Sequence, residues 1–130
     1  MTLRLLLAIC LFTCSGQAKT IGWDLGELKT MALNGDTSAQ LRLGLAYSSG
    51  IGADKNSRES FYWFEKAAKQ GEPTAALFLA KAYTEGDGTH QDPAQVMHWY
   101  REAALGSNAF ARRKLVRLLQ NDTNGSVEEV

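Results

Sequence analysis

Cysteine is almost missing from this chain. Its 130 residues hold two, Cys10 and Cys14, both close to the N-terminus. Proline is scarce as well, with only Pro73 and Pro93, so nothing forces long helices to break. No charge sign dominates, since 14 Lys+Arg face 14 Asp+Glu. A nucleic-acid-binding surface draws on a basic excess, and the balance argues against that class. No apolar run approaches the roughly 20 residues that a membrane-spanning helix requires. What is present is a 45% hydrophobic and 22% charged composition, enough apolar matter for a core and too much for wholesale disorder. The length suits a single domain.

The first eighteen residues differ from the rest. Arg4 opens the segment, an apolar stretch runs from Leu5 to Phe12, and small or polar residues close it at Ser15-Gly16-Gln17-Ala18. A charged start, apolar middle and small-residue exit describe a secretory signal peptide over 1–18, with Gly16 and Ala18 at the small positions before the cut. The stretch is too short for a permanent anchor. Lipidation at Cys14 is disfavoured, because Phe12 and Thr13 are bulky where such motifs take small residues. A buried N-terminal helix is the plainer alternative, and the asymmetric flanks tell against it. Removing 1–18 takes Arg4 from the 14 basic residues and leaves 13 against 14 acidic. It also takes both cysteines, so the remaining chain has neither disulfides nor thiol chemistry nor a Cys-based zinc site. An exported, periplasmic protein is expected.

The remaining chain repeats itself. Shifted by 36 residues it aligns without a gap: Ala39 on Ala75, Leu43 on Leu79, Tyr47 on Tyr83, Gly50 on Gly86, Gly52 on Gly88, Trp63 on Trp99, Phe64 on Tyr100, and Ala67-Ala68 on Ala103-Ala104. Outward, Met31, Ala32 and Gly35 fall on Ala67, Ala68 and Gly71, while Ala111, Leu115 and Leu118 fall on Ala75, Leu79 and Ala82. Two full units, about 37–72 and 73–108, are thus flanked by half units.

Each unit reads as two helices. The spacing of Ala39, Leu43, Ala46 and Tyr47 makes one stripe and predicts first helices over about 37–49 and 73–85. Gly50 and Gly86 stand where a left-handed turn ends a helix. Second helices are predicted over about 57–70 and 93–105. Asn56 with Glu59, and Asp92 with Gln95, read as capping boxes, and Pro93 suits a first helical position. Their buried stripes are Ser60, Trp63, Phe64, Ala67, Ala68 and Val96, Trp99, Tyr100, Ala103, Ala104. One helix pair cannot bury such a stripe alone, so units must stack. Trp23, Leu25, Leu28, Met31 and Ala32 suit an opening cap at about 22–34; Phe110, Leu115, Leu118 and Leu119 suit a closing cap at about 108–120. The polar, acidic 121–130 reads as a flexible tail.

The run from Ala39 to Gly52, with Leu43-Gly44 and Tyr47 ahead of Gly50-Ile51-Gly52, and the run from Trp63 to Gly71, with Lys66-Ala67-Ala68, resemble the Sel1-like repeat. The second unit departs at Ala80 for Gly44, Glu102 for Lys66, and Gly106-Ser107, where the glycine comes one residue early. The resemblance covers about 20–120. It implies an all-α fold, a right-handed α/α superhelix of the tetratricopeptide class, forming a short solenoid of two 36-residue helix pairs between half-unit caps. It also implies protein–protein interaction without shared catalytic residues or cofactors: adaptors in signalling or envelope assembly, and immunity proteins against secreted toxins. Cysteine-bridged relatives are a different subtype, as this chain lacks their cysteines beyond residue 18.

A solenoid binds along the concave face that its first helices line. There the sequence offers Leu41, Leu45 and Ser48, then Leu77, Lys81 and Thr84, then Arg113, Arg117 and Gln120, with a second column of Arg42, Phe78 and Lys114. The expected site is apolar at one end, basic at the other, and takes an acidic partner segment anchored near Phe78. The plainer reading is that Leu41, Leu77 and Phe78 pack between helices, and that Arg112, Arg113, Lys114 and Arg117 are a solvated helix face. His90 and His98 with Asp87 and Asp92 lack any metal-ligand spacing. Gly50-Ile51-Gly52 and Gly86-Asp87-Gly88 lack the Lys-Ser/Thr of a phosphate loop. A non-catalytic binding module is the first expectation. A cell-wall enzyme or a structural envelope component, self-associated through an exposed end, is the alternative.

Overall fold

The computed structural model describes residues 24–125. The expected signal peptide at 1–18 and Trp23 lie outside the described residues, as do 126–130. Six helices follow in order: α1 (Leu25–Leu33), α2 (Thr37–Ser49), α3 (Ser57–Lys69), α4 (Pro73–Glu85), α5 (Pro93–Leu105) and α6 (Ala109–Gly125). The described residues contain no strand. Each helix packs on the next along the chain, and the assembly is a short all-α solenoid: α2–α3 and α4–α5 are the full units, α1 a preceding second helix, α6 a following first helix.

The helix starts are set by side chains that satisfy orphan backbone donors. Asp24, Asp36, Glu72 and Asn108 cap α1, α2, α4 and α6. Asn56 Oδ1 accepts from the Arg58 and Glu59 amides, and Asp92 Oδ1 from those of Ala94 and Gln95. The predicted capping boxes are therefore made in one direction only. The cap amides are already used: Asn56 N donates to Tyr47 O at 2.9 Å and Asp92 N to Tyr83 O at 3.2 Å. These two bonds tie each second helix back to the last turn of its own first helix. Gly50 and Gly86 end the first helices at φ 75° and 71°, the left-handed region where a Cβ is disfavoured.

The core divides in two. Leu28, Ala32, Ala39, Leu43, Tyr47 and Trp63 form one cluster, and a larger one from Phe64 to Ala111 fills the space between α3, α4, α5 and α6. Leu43 and Leu79 are fully buried at equivalent positions. Each contributes about 2–3 kcal/mol of burial relative to an exposed side chain. Both predicted stripes of the second helices are inside, with Ala104 half-buried.

The closing helix differs from the sequence expectation in two ways. α6 continues to Gly125, so the expected tail at 121–130 begins inside a helix. The closing cap also buries less than predicted. Ala111 is fully buried, and Leu115 and Leu118 pack on the core, but Phe110 is 54% exposed and Leu119 45% exposed. Among the described residues α6 packs on α5 and the core through Ala111, Leu115 and Leu118, and its other flank is exposed.

Candidate partner-binding face

α4 lies between α2 and α6 in the order of first helices, and its exposed side meets two depressions. The one toward α6 is a trough of about 280 Å³ lined by Leu77, Phe78, Lys81, Thr84, Glu85, Tyr100, Phe110 and Lys114. Thr84, Tyr100 and Lys114 also line a neighbouring hollow of about 400 Å³ that reaches Pro93, Met97 and Leu118. The two adjoin at these three residues and together make up a channel beside α4, α5 and α6. Toward the first unit, a narrower cleft of about 60 Å³ is lined by Ser48, Ser60, Phe61, Phe64 and again Phe78, Lys81 and Glu85.

Phe78 is held by packing: its ring stacks on Phe64 at 4.7 Å between centroids and 6° between planes. It is half-buried, so one face completes the core while an edge opens to the trough. Lys81 is exposed and lies 4.0 Å from Glu85, one turn along the same helix, a pairing worth little in water. Tyr100 forms part of the channel wall. Burial pushes its phenol above the usual range, the Thr84 hydroxyl hydrogen-bonded to it pulls the other way, and the Glu85 charge pushes it further up. At neutral pH it is a neutral donor beside an apolar wall.

The expected site residues separate into three groups. Leu77, Phe78, Lys81 and Lys114 come together in the trough. Arg113 and Arg117 do not join them; they line a more open patch of α6 with Arg112, Val116 and Gln120. Of the α2 residues, Leu41 packs against the core while Arg42 and Leu45 are exposed. Tyr100 and Phe110 were not anticipated here. Tyr100 reads as core from its register with Phe64, and Phe110 as the closing cap, so their share in the wall appears only when α5 and α6 are set against α4.

Among the described residues, no three His, Cys, Asp or Glu side chains converge as a metal site, and no helix is long and apolar enough to cross a membrane. His90 is exposed, 3.7 Å from Asp92, and His98 is edge-on to Trp99.

Two Sel1 repeats, at residues 37–72 and 73–108, match the Sel1 repeat family model. Among solved structures, the chain is similar to a Sel1 repeat protein from Oxalobacter formigenes, with 35% identity and a TM-score of 0.68 over 70% of this chain and 68% of that one. It is equally similar, at 35% identity and a TM-score of 0.68, to a protective antigen of uropathogenic Escherichia coli strains that displays an SLR fold. That match takes in 70% of this chain and 20% of the antigen, so the chain spans a fifth of its length. Cysteine-rich protein B of Helicobacter pylori is alike in fold, at 19% identity and a TM-score of 0.69 over 82% of this chain and 80% of that one. No curated protein matches. With its helix pairs, turns and core registers in place, the chain belongs to the Sel1 repeat family, whose repeats mediate protein–protein interaction.

Proposed function

We propose that this protein is an exported, periplasmic docking module without catalytic activity, and that it receives a partner protein in the channel between α4 and α6. The observation that carries the reading is the double role of Phe78 and Lys81, which line both the trough and the cleft on either side of α4. An apolar anchor beside an ammonium, with Lys114 across the channel, suits a partner segment that carries an apolar side chain next to a carboxylate. Blocking the active site of a secreted toxin is one specialisation of such a module. Export rests on the signal-type residues 1–18.

The test is affinity capture from the native host with the protein as bait, followed by the Phe78→Ala/Lys81→Ala variant. One stoichiometric partner, lost with the double variant at unchanged helical circular dichroism, is the expected result. Retention by the variant would overturn the choice of face, and turnover of cell-wall material by purified protein would overturn the non-catalytic reading.

A further inference from the structure

The described residues open on a second-type helix, α1, and close on a first-type helix, α6. Each is half of a unit, and the two halves are of complementary kind. In the full units the halves meet in a defined register. Ser60 Oγ of α3 donates to Gly44 O of α2 at 2.9 Å, and the Phe64 ring lies so close that a Cβ on Gly44 would stand 2.5 Å from it. Under the 36-residue shift, α1 offers Asp24, Glu27 and Leu28 where α3 has Ser60, Trp63 and Phe64. α6 offers Arg112 and Val116 where α2 has Gln40 and Gly44, and α4 has Ala76 and Ala80.

The substitutions at these end positions are not random. The open flank of α6 gains cations at three positions that are neutral in α2. Arg112, Arg113 and Arg117 are all exposed, and none makes an ion pair among the described residues. Between them Val116 is 53% exposed and Leu119 45%. The corresponding flank of α1 carries the acids Asp24 and Glu27, both exposed. The one cation of α1, Lys29, is turned to the Tyr47 ring of α2, 5.7 Å from its centroid.

We infer that a second copy of this chain docks its α1 on α6, so that two half units complete a third repeat. In that register Asp24 of one copy comes level with Val116 and Arg117 of the other, and Glu27 lies a turn nearer Arg112. The contact uses different surfaces on the two copies, so it does not close on itself and propagates as an open row. This inference is independent of the channel between α4 and α6.

Sedimentation velocity of the purified protein at low salt tests it, over about 10 μM to 1 mM, the range of weak interfaces. The mass is expected to rise past a dimer with concentration, and to fall back to monomer near 1 M salt, where a Debye length of about 3 Å screens the charges. Two variants, Arg112→Glu/Arg117→Glu and Glu27→Arg, should each be monomeric and should associate when mixed. A chain carrying all three changes should associate alone. A wild-type monomer throughout, or variants that associate as the wild type does, would overturn the inference. So would a mixture that stays monomeric while circular dichroism shows both variants folded.

Discussion

The two full repeats share helix lengths, caps and buried stripes, yet they close their junctions by different chemistry. In the first, Thr37 Oγ1 donates to Gln70 Oε1 at 2.8 Å, Gln70 Nε2 to Gln40 Oε1 at 2.7 Å, and Gln40 Nε2 to the Ala32 carbonyl at 3.0 Å. Side-chain hydrogen bonds thus join the ends of α1, α2 and α3. In the second, the three equivalents are Pro73, Gly106 and Ala76. The linkage there is steric: a Cβ on Gly106 would strike the Pro73 ring, and Ala76 is buried. This explains the early glycine of the second repeat. Gly106 has φ −76° and is required by proximity, not by backbone conformation. The left-handed position passes to Ser107, at φ 71°, where the first repeat has Gly71 at 90°. One geometry is therefore reached by a polar solution next to the α1 cap and by a close-packed one next to α6.

The largest test of this contrast lies in the turns. A Cβ on Gly88 would collide with the Ser57 carbonyl oxygen, whereas one on Gly52 meets nothing within 4 Å. Both sites have positive φ. Chemical denaturation should show Gly52→Ala losing about 1–2 kcal/mol from conformation alone, and Gly88→Ala losing about 3 kcal/mol or more once the collision is added. Equal losses would mean that the second turn has no special closeness to α3. Next comes the seat of the aromatic ring. Gly44→Ala should cost about 1–3 kcal/mol through overpacking against Phe64, and a thermal melt of Gly44→Ala/Phe64→Leu should recover part of it. Ala80→Gly should cost about 1 kcal/mol, the ordinary helix penalty.

Smaller still is the left-handed serine. Ser107→Gly should raise the urea midpoint by the equivalent of about 1 kcal/mol, and Gly71→Ser should lower it by a similar amount. The last contrast is with pH. Burial raises the phenol pKa of Tyr83 and of Tyr100, both in the second repeat. Their neutral forms are favoured in the folded state, so this contribution is complete below about pH 10, the unfolded value, and is lost as pH rises through the folded values. The unfolding free energy should therefore decline as pH rises above the unfolded value of about 10. The decline should be shallower in Tyr100→Phe, whose first-repeat equivalent is already Phe64.

The architecture was legible because a 36-residue period of Tyr, Gly, Trp and paired Ala leaves few arrangements that bury every stripe. The caps at Asn56 and Asp92 were legible for the same local reason. Their return bonds were not, because the competing acceptors, Tyr47 O and Tyr83 O, sit nine residues upstream across a loop. In the candidate site, the first-helix columns name Leu77, Phe78, Lys81 and Lys114. Periodicity alone cannot say that Arg113 and Arg117 turn to the open flank of α6, nor that Tyr100 and Phe110 form a wall. Those outcomes depend on which neighbour stands beside a helix: among the described helices α4 packs mainly on α3 and α5, and α6 mainly on α5.

By itself, the order of residues determined the helices, the repeat and its family, because a helix rests on spacing within about fifteen positions and the repeat on a 36-residue shift that is visible along the chain. Tertiary structure alone decided which apolar side chains stay exposed, why Gly106 is glycine, and where lysine and aromatic groups share a channel. Those properties arise from contacts between different helices, within a repeat as well as between repeats, and a pattern read along one helix holds no distance to the next.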